Sequence, residues 1–256
     1  MKQIPLARIA KIILPQEENS VPSYARKHQL QGSLMYHVYN RSNRRTPIFH
    51  EEEDYIYFKQ ILSRYKKRFA AKIYHWVIMD NHFHFLLELE EPEQLSKMMG
   101  GIAQAYTYYY HKKYATAGYL WQGRFKLQPV ESGNYLLSCG RYIERNPLEA
   151  GIVKMATEYL YSSARYYCQG SDDFLTDASP AYREFGSDQR TSRQEYQAFL
   201  KNFHPEEDEA FSQMENPIGQ QLFIERLKKS QGRYMPRRRG RSRRIVLEVT
   251  ERHAVS

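Results

Sequence analysis

The chain has 256 residues, enough for one or two domains with a buried core. Its 38 Lys and Arg against 29 acids give a net charge of +9, an excess that points to an anionic partner, nucleic acid foremost, and says little about fold. Two cysteines, Cys139 and Cys168, exclude a disulfide framework and a Cys-based zinc site and suit a reducing cytoplasm.

Residues 1–32 read as a basic arm without clear period, its apolar pieces too interrupted by Arg8, Lys11, Pro5 and Pro15 for a signal segment. No later stretch approaches a membrane-spanning length. The run 33–42, SLMYHVYNRS, alternates as a strand, with Tyr36, Val38 and Asn40 on one face and His37, Tyr39 and Arg41 on the other. Residues 51–70 form an amphipathic helix with acids in the first turn and Lys66, Lys67 and Arg68 near the end, as the helix dipole favours. Two strands follow, 71–80 and 82–90, joined tightly at Asp80-Asn81.

A helix over about 93–113 carries Tyr106, Tyr110 and Tyr114 in one stripe, a core pattern. Residues 117–131 are a loop leading into a strand near 126–130. A third long helix, about 133–145, ends at Asn146-Pro147. The order predicts an α+β fold: an antiparallel sheet with helices packed on one face, near the ferredoxin-like and RRM-like class. Residues 169–190 are polar and mark a boundary. Two helices, 191–202 and about 217–230, lie beyond it, separated by the acidic PEEDE run. Seven arginines crowd residues 233–244. The expected units are thus an arm (1–32), a main domain (33–168), a helical extension (169–230) and an Arg-rich flexible tail (231–256).

Tyrosine is overused, 22 residues against 12 Phe and 2 Trp. Phenols fill cores, stack on bases or act as nucleophiles, so most of these tyrosines are packing residues and the question is which one is not. DNHFHFLLELE, 80–90, narrows it. Phe83, Phe85, Leu87 and Leu89 share the face that packs, so His82 and His84 share the other. Two imidazoles at this spacing, about 7 Å apart, can reach one metal ion, although a pair of surface histidines beside a turn has the same spacing. Zinc is disfavoured for want of further Cys or His ligands.

In RYIERNP, 141–147, Tyr142 and Asn146 are four apart and share a helix face. An amide oxygen is a hard ligand suited to Mg²⁺ or Mn²⁺. Against the histidine face, this helix would deliver a phenol and a metal ligand together. A divalent ion would polarise a phosphodiester while the phenol attacks phosphorus.

Taken in order, YHVYNRSN, WVIMDNHFHFLLE, GYLWQGRF, RYIERNPLEAGIV and YLYSSARYY resemble the REP-associated tyrosine transposases, in the single-tyrosine branch of the HUH endonuclease superfamily. FGSDQRTSRQEYQAFL and NPIGQQLFIERL are similar to the C-terminal part of longer members, so the resemblance spans about residues 33–228. It implies that His82 and His84 hold Mg²⁺ or Mn²⁺ and that Tyr142 is the nucleophile. The expected activity is that of a transposase, a single-strand DNA endonuclease. It would cut and rejoin DNA at palindromic repeat hairpins, leaving a 5′-phosphotyrosine and a free 3′-OH. Related insertion-sequence transposases carry Gln where this chain has Asn146, one methylene longer, and work as dimers with the tyrosine in trans. Members resembling this chain act as monomers in cis.

Several residues are suited to DNA. Arg41, Asn43, Arg44 and Arg45 could clamp a backbone. Trp121 could stack on a base, Gln122 meet a base edge, and Arg124 a phosphate or guanine. Arg237, Arg238 and Arg239 of the tail would add non-specific attraction. The expected partner is single-stranded or hairpin DNA, with no membrane, in a cytoplasmic, nucleoid-associated setting. Two other readings share these residues: a non-catalytic nucleic-acid-binding module, and a metal-dependent phosphodiesterase that uses water.

Overall fold

In the computed structural model, which describes residues 30, 34–202, 205–214 and 217–229, strand β1 (Met35–Arg41) opens a β-α-β-β-α-β unit. It continues through α1 (Glu52–Arg68), β2 (Lys72–Ile78), β3 (His82–Glu88), α2 (Leu95–Tyr114) and β4 (Lys126–Val130). The four strands form one antiparallel sheet in the order β2-β3-β1-β4, so the α+β, ferredoxin-like class is as the sequence predicts. Pro129, which lacks an N–H for a ladder, sits on the edge strand β4, where it is tolerated. The expected arm, all but Leu30, and the arginines of the tail, Arg237, Arg238 and Arg239 among them, lie outside the described residues.

Alternation in the strands builds two cores. Tyr36, Val38, Trp76, Phe83, Phe85 and Leu87 face α1 and α2 and pack with Phe58, Ile61, Met98, Ile102 and Tyr106. Tyr106 is fully buried and its hydroxyl donates to Ile48 O at 2.7 Å, so the tyrosine stripe begins in the core. Asp54 staples the two helices. It accepts from the backbone N–H of His50 and from Lys113 Nζ, both at 2.8 Å, and from the hydroxyls of Tyr114 at 2.7 Å and Tyr109 at 3.0 Å.

The opposite face departs from the expectation that helices cover one side only. Val77, Met79, Leu86 and Val130 make it apolar enough to need a second cover, and α3 (Asn134–Glu149) lies on it. Over α3 pack α4 (Ala164–Gln169), α5 (Gln189–Lys201) and α6 (Pro205–Gln213), through Tyr167, Tyr196, Phe199 and Phe211. The last helix, α7 (Gln221–Lys229), returns Phe223 and Leu227 to the first core. The acidic PEEDE run is therefore the start of α6 and not a gap between helices, consistent with acids favouring a helix N-terminus.

Helix α3 carries charged residues inward, each with partners. Glu144 accepts from His75 Nδ1 at 2.9 Å, Ser163 Oγ at 2.6 Å and Tyr196 OH at 2.9 Å. Arg141 and Arg145 donate to carbonyls at the C-terminal end of α5, Arg145 to Leu200 at 2.9 Å, where cations complement the helix dipole. The helix also runs through Pro147 to Glu149, beyond the end expected at Asn146-Pro147. Proline so close to the C-terminus removes only one ladder bond, and Pro147 is buried.

Candidate active site

His82 and His84 point from β3 toward α3, with ring centroids 5.3 Å apart and planes 85° apart. The next strand in the sheet, β1, adds His37 and Tyr39 to the same face, Tyr39 lying opposite His84 in register. The Tyr39 ring lies 4.6 Å from His84, and His37 stacks on His84 at 5.0 Å. Tyr142 descends from α3, edge-on to His84 at 5.5 Å and to His37 at 5.7 Å. Phe211 of α6 stacks on the Tyr142 ring at 5.6 Å. Asn146, one turn beyond, donates from Nδ2 to Tyr142 O at 2.9 Å and makes a side-chain hydrogen bond with His82. The structure thus brings together Tyr142, His82, His84 and Asn146, as their spacing suggests.

Burial sets the protonation of the imidazoles. Desolvation lowers His84 well below the ordinary histidine value, and the neighbouring His37 and His82 add to the fall. Desolvation also lowers His82, opposed by the bond with Asn146. His37, fully buried, is brought down to about 4 by desolvation, against a hydrogen bond with Gln128 that raises it. Neutral imidazoles are the form that ligates metal. Among the described residues no three His, Cys, Asp or Glu side chains form a metal-binding group. The donor set is two neutral imidazoles with an amide beside them. That set fits a divalent ion whose remaining positions are filled by water and a substrate phosphate, as is usual for Mg²⁺.

The basic loop after β1 lies at the same end of the sheet. Arg41 pairs across from His82, and Arg41 Nε donates to Gln122 Oε1. Asn43, Arg44 and Arg45 are exposed, as are Gln122 and Arg124. Arg44 and Arg45 have φ of 55° and 59°, a left-handed backbone that costs non-glycine residues about 1 kcal/mol or more each. The loop is held by Asn81 Nδ2 donating to Arg45 O at 3.0 Å and by Asn43 N donating to Leu120 O at 2.7 Å.

Trp121 requires a correction. Its indole is buried against Phe58, Phe83 and Tyr106, and Nε1 donates to Ala103 O at 3.2 Å and Thr107 Oγ1 at 3.1 Å. A ring so enclosed cannot stack on a base. Trp121 instead bridges Ser42 and anchors the loop that presents Gln122. Neighbouring Tyr119 is the exposed aromatic there.

Sequence reasoning passed over His37 as a site residue, along with Asn81, Gln128 and Phe211. His37 was findable, since alternation already put it on the face of Tyr39 and Arg41. Phe211 was not, because nothing local ties α6 to the sheet.

Residues 31–146 match the model of the family described as transposase IS200 like. Among solved structures, the chain is similar to a REP-associated tyrosine transposase bound to a REP hairpin. Identity is 20%, over 63% of this chain and 92% of that one, with a TM-score of 0.47. It is also similar to a protein of Deinococcus radiodurans R1 described as a putative transposase, at 19% identity over 39% of this chain and 80% of that one, with a TM-score of 0.33. No curated protein matches. Among the described residues no helix is long and apolar enough to cross a membrane.

Proposed function

We propose that this protein is a transposase that cuts and rejoins single-stranded DNA at palindromic repeat hairpins through a covalent tyrosine intermediate. The observation that carries the reading is the meeting of Tyr142 with His84 at 5.5 Å, while Asn146, one turn on, bonds to His82. In the cutting step the Tyr142 oxygen forms a bond to phosphorus and the bond from phosphorus to the 3′ oxygen breaks. The phenolic proton is lost and the leaving oxygen is protonated, giving a 5′-phosphotyrosine and a 3′-OH. Attack by another 3′-OH reverses the step and conserves the bond without ATP. His82, His84 and Asn146 would hold Mg²⁺ or Mn²⁺, which supplies charge stabilisation to the phosphoryl group. Phe211 and His37 fix the Tyr142 ring from two sides.

Arg41, Asn43, Arg44, Arg45, Gln122 and Arg124 bind the strand beside the site, and the tail arginines add non-specific attraction. In-line attack needs an unpaired backbone at the cut, so the single-stranded flank of a hairpin is the substrate. The protein acts as a cytoplasmic, nucleoid-associated monomer, its catalytic unit 33–168 carrying the extension 169–230.

The test is incubation with single-stranded palindromic oligonucleotides and Mn²⁺, followed by a denaturing gel. A covalent band is expected, absent in Tyr142→Phe with DNA binding retained. Products without an adduct would mean attack by water, and binding without products a non-catalytic module. An adduct that survives Tyr142→Phe but not Tyr39→Phe would move the nucleophile to β1. Equal rates on a fully duplex version would refute the single-strand requirement.

A further inference from the structure

His84 uses one ring nitrogen on His37, and His37 is itself anchored by an amide. Gln128 donates from Nε2 to Ala210 O of α6 at 3.1 Å, which turns its Oε1 toward His37 Nδ1, 3.4 Å away. Oε1 can only accept, so His37 carries its proton on Nδ1. A buried neutral imidazole has one proton, so His37 Nε2 accepts. It lies 2.8 Å from His84 Nδ1, which must then be the donor. On the other histidine, Asn81 turns Oδ1 to His82 Nδ1 at 2.6 Å, but Asn146 bonds to the same ring with its Nδ2 already given to Tyr142 O. Two amide oxygens thus compete for one proton, and Asn81 alone does not set that tautomer.

We infer that His37 is a positioning residue that fixes His84 in the tautomer protonated on Nδ1, with the Nε2 lone pair open. The relay starts in α6, a helix beyond the matched segment 31–146, at the carbonyl of Ala210, and passes through Gln128 and His37. It removes the tautomer in which Nε2 carries the proton and cannot bind a metal. It also fixes the plane of the ring, as outer partners of ligating histidines do. The purpose given to the lone pair rests on the proposed metal role of His84. The tautomer itself does not.

The experiment is a ¹⁵N–¹H spectrum of histidine-labelled, metal-free protein, in which the two nitrogen shifts of each ring report its tautomer. Titration with Mn²⁺ by calorimetry follows. The full chain is expected to show His84 protonated on Nδ1. His37→Phe should shift His84 toward a mixture and leave His82 as in the parent, weakening Mn²⁺ binding about 10–100-fold. His37→Gln restores an acceptor and should return His84 to its parental tautomer. Because His82 stays unmoved, a general loss of structure is told apart from loss of the relay. Protonation of His84 on Nε2 in the parent, or His84 unmoved by His37→Phe, would overturn the inference. The expected tautomer without any Mn²⁺ binding by the parent would overturn the metal reading and leave the relay standing.

Discussion

Gly140 sits in α3 two residues before Tyr142, where a helix would ordinarily gain from alanine. An added Cβ would lie 2.7 Å from His75 Cε1 and Nε2 and 2.8 Å from Cδ2, far inside ordinary contact. The ring has nowhere to go: its Nδ1 is bonded to Glu144 at 2.9 Å and its face stacks on Tyr167 at 4.5 Å. Overpacking costs about 1–3 kcal/mol. Displacing His75 from the carboxylate adds about 1.5–3 kcal/mol. The helix propensity of alanine returns about 1 kcal/mol. Gly140→Ala should therefore destabilise by roughly 2–5 kcal/mol, lowering Tm by about 5–15 °C for a chain of this size. Gly100, exposed in α2 with nothing within 4 Å of an added Cβ, is the control. Gly100→Ala should gain up to about 1 kcal/mol. Thermal unfolding followed by circular dichroism reads both. If Gly140→Ala matched or exceeded the parent, the tight seating of α3 on His75 would be wrong.

Trp121→Ala should cost about 3–5 kcal/mol of stability, measured by denaturant unfolding. Unchanged stability with weakened DNA binding would restore the indole to the DNA interface. Burial by itself would raise the Asp54 carboxyl, but hydrogen bonds from Lys113, Tyr114 and the N–H groups of His50 and Glu51 outweigh it and hold the carboxyl below its usual value. A depressed folded pKa contributes stability above the unfolded value of 3.8, lost as pH falls below it. Asp54→Asn should thus cost about 2 kcal/mol at neutral pH, with the gap to the parent closing below that value. A gap independent of pH would contradict the charge argument. Truncation after Ser230 should weaken DNA binding and flatten its salt dependence, the slope falling by about 0.7 for each phosphate that the tail neutralises in the full chain. An unchanged slope in filter binding would show that the tail does not touch DNA.

The order of elements was legible in the sequence because each long helix and strand carries its own period. The tight turn at Asp80-Asn81 and the single face shared by His82 and His84 are local consequences of chain geometry. So is the pairing of Tyr142 with Asn146, one turn apart on a helix. The sequence could not say that the sheet is covered on both faces, since Val77, Met79, Leu86 and Val130 are scattered along the chain and become one surface only on pairing. Nor could it decide Trp121, because an aromatic in a polar loop is buried or exposed according to what lies beneath it. Here that is Phe58, Phe83 and Tyr106, from two helices and a strand. The run through Pro147 and the start of α6 at PEEDE likewise depend on tertiary packing that outweighs a local breaker or a charge run. The sequence by itself determined which groups could do chemistry. Only the tertiary structure decided which nitrogen of His84 stays open, because that choice belongs to His37, Gln128 and Ala210, none of them a neighbour of His84 along the chain.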